Sequence, residues 1–506
     1  MCAHSHAQTP EDALRYSYLT QNGTARILAV GGAVTSLGGD ITSTFVNPAG
    51  LGFFKTNEFV VSPGFGFMNN KTNFRNNNFN TRNNNVLLGP VGIIIGHPET
   101  KYNKNSTAFS IAFSQQASFA GNRSFNGLNN FSSFSEQFAE EFAKSGYSID
   151  GVLNTSSNLP YTAAPALNTF LIDTVRVGGI LQVRGAAERI LDNREALRQK
   201  YESITSGGIY ELALGAATND NDKWLVGGSV GLPFLFYNSN TTITESDTSA
   251  KTNNGFSSAS FRDDFSTSGI GINLKVGAIY RPASYVRLGL AVHSPNFYTL
   301  VDTRTTFVTT NLETPSGNPE SFSDNSDQYS QGTNGKVEYI QRTPWKVLGS
   351  ASYVFREIQN TEKQRGFITA DVEYLNYGSG GFSSNAEVPS EVQKSYYKEL
   401  KKVIKDEYKG TVNARVGAEL KFNTIMVRQG LAYYGNPYED PAFKANRLLY
   451  SGGVGYRNKG FFIDLTYILN TSKDVVLPYR LADRENTFAN INSNGLAFAA
   501  TLGVKF

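Results

Sequence analysis

The C-terminal run Gly495-Leu496-Ala497-Phe498-Ala499-Ala500-Thr501-Leu502-Gly503-Val504-Lys505-Phe506 alternates without a break. In an extended chain Leu496, Phe498, Ala500, Leu502, Val504 and Phe506 share one face. Gly495, Ala497, Ala499, Thr501, Gly503 and Lys505 share the other. The run is about twice the usual soluble strand of roughly 5 or 6 residues, and it suits a tilted membrane crossing. Its last residue is an aromatic on the apolar face, as in many outer-membrane barrels.

The same period governs Thr411 to Phe422, where Val412, Ala414, Val416, Ala418, Leu420 and Phe422 oppose Thr411, Asn413, Arg415, Gly417, Glu419 and Lys421. Phe461 to Asn470 follows it more loosely. Extending the reading backward predicts strands near Glu58–Met68, Val86–Gly96, Ser106–Phe119, Gly208–Thr218, Lys223–Tyr237, Ser268–Tyr280 and Tyr285–Val308. Further strands fall near Gln328–Phe355 (bent at Pro344), Gly366–Tyr377, Thr411–Phe422, Met426–Tyr434, Asn446–Tyr456, Phe461–Asn470 and Asn494–Phe506. The total is about fourteen, an even number as bacterial barrels require. Short connections (His97–Asn105, Asn219–Asp222, Arg281–Ser284, the Asn423 and Asn458 turns) fall on one end and long ones on the other. This is the asymmetry of periplasmic turns and extracellular loops. The predicted fold is therefore an all-β transmembrane barrel, antiparallel throughout, over 58–506. A soluble all-β protein would need a second layer over faces such as Leu496 to Phe506, and no second set of polar-faced strands supplies one.

Composition agrees. Lys+Arg 46 against Asp+Glu 43 leaves +3, which supplies no field for a nucleic-acid partner. Tyr 26, Phe 35 and Gly 48 suit strands and polar loops better than packed helices. The longest apolar candidate, Leu87 to Gly96, is broken by Gly89 and Pro90 and is too short for a membrane helix. The single cysteine, Cys2, leaves no disulfide framework. Residues 1–8, with Ala3-His4-Ser5-His6-Ala7-Gln8, read as the remnant of a secretory signal; without an apolar h-region, a lipid anchor at Cys2 is the weaker reading.

Three helices are expected in the long loops. Phe131, Phe134, Phe138 and Phe142 make an aromatic stripe. Arg184 to Ser203 reads as a charged helix, and Val392, Tyr396, Leu400, Val403 and Ile404 form a third stripe opposite a row of lysines. The Phe stripe is read first as the packing face of a cap over the barrel mouth, and second as a landing site for an apolar ligand. The Asn-rich segment Asn69–Asn85 reads as a solvated loop.

Residues 9–57 show no sustained strand period. They hold Gly31-Gly32-Ala33, Gly38-Gly39-Asp40 and Asn47-Pro48-Ala49-Gly50-Leu51. Glycine permits the close approach and positive φ that a compact segment inside a barrel needs. The run Gly31-Gly32-Ala33 … Asp40-Ile41-Thr42-Ser43-Thr44-Phe45-Val46-Asn47-Pro48-Ala49-Gly50-Leu51 resembles the plug of FadL-type transporters for long-chain fatty acids and aromatic hydrocarbons. Arg287-Leu288-Gly289-Leu290, Ala414-Arg415-Val416-Gly417-Ala418-Glu419-Leu420 and Gly453-Val454-Gly455-Tyr456 are similar to that family's strands. The resemblance spans most of the chain and departs in the insertions near 124–205 and 383–409.

The resemblance implies a fourteen-stranded barrel that carries hydrophobic small molecules passively across the bacterial outer membrane, with no cofactor. Ligand enters through the extracellular loops, occupies an apolar pocket and leaves sideways into the bilayer at a kinked strand. That strand is Ser106–Phe119, where Gln115-Gln116 interrupt the alternation. Gly31, Gly32, Asp40, Asn47, Pro48, Ala49 and Gly50 belong by the same analogy to the plug and its gate. A carboxylate ligand also needs a buried cation; Arg415 and Arg428 point inward, though Glu419 and Asp371 are available to pair with them.

Two other function classes compete with transport. An enzyme finds little support: among four histidines, His293 adjoins Ser294, but neighbours on a strand face opposite sides and form no dyad. Metal ligation finds few donors. A FadL-like barrel that serves protein secretion by binding surface partners through its loops is the stronger rival. A continuous apolar pocket favours transport, and a lumen of paired polar residues favours the rival.

Overall fold

The computed structural model describes residues 8–99, 105–155, 157, 159–249, 251–314, 318–330, 335–355 and 365–506; the expected signal remnant lies almost wholly outside them. The chain forms a closed antiparallel barrel of 14 strands. They are β1 (Glu58–Val61, Pro63–Phe74), β2 (Asn77–Leu88, Val91–His97), β3 (Asn105–Ser118, Gly121–Asn129), β4 (Leu197–Asp220) and β5 (Trp224–Asp247). β6 (Ser258–Ala283), β7 (Val286–His293, Phe297–Glu313), β8 (Val337–Arg342, Lys346–Phe355), β9 (Gly366–Asn376, Gly381–Ser384) and β10 (Gly410–Phe422) follow. β11 (Ile425–Tyr434), β12 (Arg447–Asn458), β13 (Phe461–Val476) and β14 (Ala489–Lys505) complete the wall. Each strand pairs with its sequence neighbours, and β14 closes the ring on β1, with Phe498 opposite Phe65.

The alternation has the expected meaning. Phe109, Ile111, Leu214, Ile272, Leu290, Val372, Leu465 and Phe498 are exposed on the outer surface, where an apolar band meets lipid. Trp224, Tyr353, Tyr456 and Phe461 edge that band near the short turns, and Phe236, Tyr374 and Tyr433 edge it near the long loops. Among the described residues no helix is long and apolar enough to cross a membrane.

Several segments differ from the sequence reading, and each difference has a local cause. Asn69–Asn85 is no loop: β1 and β2 run on through it to a tight turn at Arg75 and Asn76, with φ of 48° and 64°. Asparagine tolerates that left-handed geometry, which suits a two-residue hairpin. The proposed helix Arg184–Ser203 is instead a strand end (Ile180–Gly185), a short helix (Glu188–Asp192) and the start of β4. Leu197, Gln199 and Ser203 alternate with exposed Arg198, Lys200, Glu202 and Ile204, a period of two concealed by charges. β3 reaches Asn129 and β4 opens at Leu197, so the first insertion is 130–196. β8 begins at Val337, is interrupted at Pro344 and does not include Gln328, which lies in a single turn of 3-10 helix.

Candidate functional site: the filled lumen and an opening between β2 and β3

The interior is organised by residues 8–57. The lower part of this segment presses directly on the wall where the wall lacks side chains. A Cβ on Gly430 would lie 2.1 Å from the Gly31 nitrogen, and one on Gly417 would lie 2.3 Å from the Val30 oxygen. Gly31 and Gly32 have φ of 71° and 84°, which a larger residue rarely adopts. Asp40 accepts from Thr42 N at 2.9 Å and Thr24 Oγ1 at 2.8 Å, folding the segment on itself. Asn47 Nδ2 donates to Thr35 O at 2.6 Å, while its Oδ1 accepts from Ala49 N at 3.1 Å and starts the turn Pro48–Phe53. Gly227 and Gly277 make room for Pro48 and Asn47, and Gly50 meets Ser43 and Gly38 too closely for any side chain.

Polar anchors complete the seat. Asp371 accepts from Val34 N, Thr35 N and Thr35 Oγ1, at 3.1, 3.0 and 2.6 Å. Ala25 N donates to Thr501 Oγ1 at 2.8 Å, Ser229 Oγ donates to Thr44 O at 2.8 Å, and His293 Nε2 donates to Val46 O at 2.6 Å. Buried backbone groups are thus satisfied by the wall, as an interior segment requires.

The candidate ligand cations are already neutralised. Arg415 pairs with Glu373 at 3.1 Å, and Asn413 donates to the same carboxylate at 2.6 Å. Arg428, fully buried, pairs with Glu419 at 2.6 Å and Asp464 at 2.5 Å. Lys275 is ion-paired to Glu211. Asp371, expected as a partner for an arginine, has its carboxylate turned to the plug. A ligand carboxylate therefore meets no spare charge at Arg415 or Arg428. This lower lumen is a set of paired polar residues.

The upper lumen is apolar and occupied. Pro10–Arg15 forms a short helix there, followed by Tyr16 and Tyr18. Tyr16 packs against Phe119 and Tyr237 at 5.8 and 6.3 Å between ring centres. Tyr18 donates to Gly435 O at 3.1 Å and lies 4.0 Å beneath the Arg447 guanidinium. The helix Glu391–Glu407 turns Tyr397, Leu400 and Ile404 onto the same cluster. Arg480, in the connection after β13, joins the two pieces through Glu11 and Glu407, with Nε to Glu11 at 2.8 Å and Nη1 to Glu407 at 2.7 Å. Burial alone would lower the Arg480 pKa; the two carboxylates more than reverse this.

The Phe stripe belongs to the cap. Phe134, Phe138 and Phe142 are buried among Ala163, Leu167, Ile190 and Phe261, with the Phe138 and Phe261 rings 5.0 Å apart. Only Phe131 reaches solvent, between Arg75 and Arg484. The landing-site reading fails for the three buried rings, because each is already in van der Waals contact with protein. Burial pushes the Tyr479 phenol beneath them well above its usual pKa.

The wall is incompletely laced between β2 and β3. β2 and β3 pair only from Val91–Phe113 to His97–Thr107. Above that, Asn77–Leu88 pairs with β1 alone and Gly121–Asn129 with β4 alone. β3 bulges between Gln115 and Ala117, so Gln116 is unpaired where the alternation breaks. Side chains partly span the gap. Leu88 N donates to Gln115 Oε1 at 3.0 Å, and Asn22 Nδ2 donates to Leu88 O at 3.0 Å and Gln115 O at 2.6 Å. Higher up, Thr81 Oγ1 donates to Asn122 O at 2.8 Å, and the Phe74 and Phe125 rings meet at 4.8 Å. Behind the gap lies a cavity of about 370 Å³, lined among others by Asn22, Met68, Leu87, Arg123, Arg447 and Ile468.

The structure therefore divides the expected gate residues. Gly31, Gly32, Asp40 and Asn47–Gly50 seat the plug, and the turn at Pro48–Phe53 docks on β3–β6 without lining the cavity behind the gap. Asn22 lines it instead, and sequence reasoning passed over it. The only sequence signal there is Gln21-Asn22-Gly23, a polar turn-forming triplet between apolar stretches.

No family model matches the sequence, and no curated protein matches it. Solved structures do match in fold. A FadL homologue of Pseudomonas aeruginosa aligns over 97% of this chain and 100% of its own, with a TM-score of 0.50 and 13% identity. A deletion mutant of the monoaromatic hydrocarbon channel TodX, a protein of Pseudomonas putida, aligns over 96% and 99%, with a TM-score of 0.52 and 11% identity. At such identities the likeness is one of architecture.

Proposed function

We propose that this barrel is a passive outer-membrane transporter of a hydrophobic small molecule, released sideways through the wall between β2 and β3. The observation that carries the reading is the unlaced upper half of β2. A strand edge without a ladder leaves backbone polar groups to be satisfied by other means, which a membrane wall otherwise avoids. Here plug and side-chain amides satisfy some of them, and a cavity stands directly behind. In this reading the short turns face the periplasm and the long loops face outside. Leu87, Met68 and Ile468 beside Arg447 suit a molecule with an apolar body and one polar end, such as a long-chain fatty acid; Arg123, in the same lining, is paired with Asp474 at 2.6 Å. A monoaromatic hydrocarbon, the cargo in the name of the TodX channel, would use the apolar side alone.

The paired polar lower lumen favours a second reading, in which the barrel is a platform for a surface protein partner. Uptake separates the two. Purified barrel in liposomes should take up labelled oleate saturably, and an Ala117→Trp variant, which crowds the cavity, should slow uptake at least tenfold while remaining folded. Uptake no greater than that of empty liposomes would remove the transport reading for fatty acids. Equal rates for the variant would remove the sideways route.

A further inference from the structure

On β13, β14, β1 and β2 the outward face changes character toward the long-loop end. Leu469, Leu496 and Phe67 lie side by side in register on the lipid-facing side. The next outward row is Thr471, Asn494, Asn69 and Arg82. The one beyond it is Lys473, Asn492, Lys71 and Asn80. Every residue of these two rows is exposed. The backbone ladder across the four strands is unbroken here, so this face offers a partner side chains alone.

The charges of this face are all of one sign. Lys473 and Lys71 flank Asn492 from the two neighbouring strands, about 10 Å apart at roughly 4.8 Å per strand. Arg82 stands diagonally across from Lys71, about 7–8 Å away. No carboxylate points outward from these four strands, and among the described residues none of the three cations is ion-paired. Elsewhere on the wall the outward cations carry an acid beside them: Lys200 with Glu202 at 2.8 Å, and Arg262 with Asp264 at 3.2 Å. The chain as a whole nearly balances its charges, with Lys+Arg 46 against Asp+Glu 43, so a face of cations without acids departs from its own average.

We propose that this face docks a phosphorylated glycolipid of the outer leaflet. Lys71, Arg82 and Lys473 would hold its phosphates, since charge-assisted hydrogen bonds to phosphate are what unpaired Lys and Arg make best. Asn69, Asn80, Asn492 and Asn494 would hold its sugars, because an amide both donates and accepts, as a hydroxyl does. The acyl chains would run down the apolar rows that begin at Leu469, Leu496 and Phe67. Continuity selects this partner: the polar rows pass directly into the lipid-facing band, and a glycolipid carries both chemistries in one molecule. Lys and Arg clustered at a membrane surface are the usual means of holding anionic headgroups. The inference rests on the long loops facing outside, and is independent of the transport reading.

The test uses the full chain in phosphatidylethanolamine nanodiscs doped with bisphosphorylated lipid A, with retained lipid read by native mass spectrometry. The unmodified chain should hold lipid A, and Lys71→Gln/Arg82→Gln/Lys473→Gln should hold at least tenfold less. Lys200→Gln/Arg262→Gln, which removes cations that have acid partners, should hold as much as the unmodified chain. Heat-dependent gel migration shows each barrel intact. Phosphatidylglycerol, an anion without the sugars, should compete at least tenfold less well than lipid A. Retention unchanged in the triple variant, an equal loss in the control pair, or equal competition by phosphatidylglycerol overturns the proposal. In a Cys2→Ser background, Asn492→Cys should react with a membrane-impermeant maleimide on intact cells. Reaction only after lysis would place the face in the periplasm and overturn the proposal as well, whatever the result for uptake.

Discussion

Asn22→Ala is the sharpest probe of the opening. Its amide makes two of the three hydrogen bonds around the Leu88–Gln115 gap, at 3.0 Å to Leu88 O and 2.6 Å to Gln115 O. The third, Leu88 N to Gln115 Oε1, joins wall to wall without the plug. Each lost bond is worth about 1 kcal/mol net, so the closed arrangement loses about 2 kcal/mol relative to one with the edges apart. At tenfold per roughly 1.4 kcal/mol, the ratio of closed to parted edges falls about 30-fold. If parting limits passage, the initial rate of oleate uptake into liposomes should rise by up to that factor. Asn22→Ala/Gln115→Ala, which also removes the direct bond, should exceed the single variant. Asn22→Asp should resemble Asn22→Ala, because a carboxylate cannot donate to either carbonyl. A folded Asn22→Ala barrel with unchanged or slower uptake would refute the reasoning, since the amide would then be no part of the closure.

Arg428→Met should leave Glu419 and Asp464 buried with only the longer pairs to Arg26 at 3.7 Å and Arg457 at 3.8 Å, at a cost of about 3 kcal/mol; a shift below about 1 kcal/mol in equilibrium unfolding by urea would show that the trio is dispensable. Phe138→Ala should cost the cap about 3–5 kcal/mol and speed proteolysis within 130–196 while leaving uptake intact; lost uptake would return the Phe stripe to a role in ligand capture. Arg480→Gln unties Glu11 from Glu407, so amides of Asp12–Tyr18 should exchange hydrogen faster while those of Val34–Thr44 stay protected. Equal acceleration in both stretches would mean that the N-terminal piece and the plug body move as one.

The wall was legible because membrane strands are written locally. Leu496 to Phe506, or Val412 to Phe422, needs no partner to declare its lipid face. Where the outward positions carry charges instead of apolar side chains, as at Arg198, Lys200 and Glu202, the strand looked like a helix. The Asn-rich hairpin looked like a loop because asparagines fall on both sides of the period between Asn76 and Asn85, so no apolar face declares the strands. The pairing of Arg428 with Asp464 joins β11 to β13, two strands apart, and no spacing in the sequence points to it.

The opening was half legible, and the reason is physical. A break in alternation at Gln115-Gln116 is a local feature, and it coincides with the bulge of β3 between Gln115 and Ala117. What makes the break an opening is that Asn77–Leu88 lacks a partner on one side, a property of two strands together that neither sequence contains. The plug shows the converse. Gly31, Gly32 and Asn47–Gly50 carry the most recognisable pattern because their backbone conformations and close contacts tolerate so few substitutes: Gly430 meets Gly31 at its nitrogen, and Gly277 meets the Asn47 side chain. Tight packing of that kind fixes a body in place. Asn22 is held at the gap through side-chain bonds, beside Gly23, whose carbonyl packs on Gly89. The residues most distinctive in sequence are those whose backbone is most tightly fitted to the wall, and the contact at the opening is made by one that only the short polar triplet Gln21-Asn22-Gly23 marks.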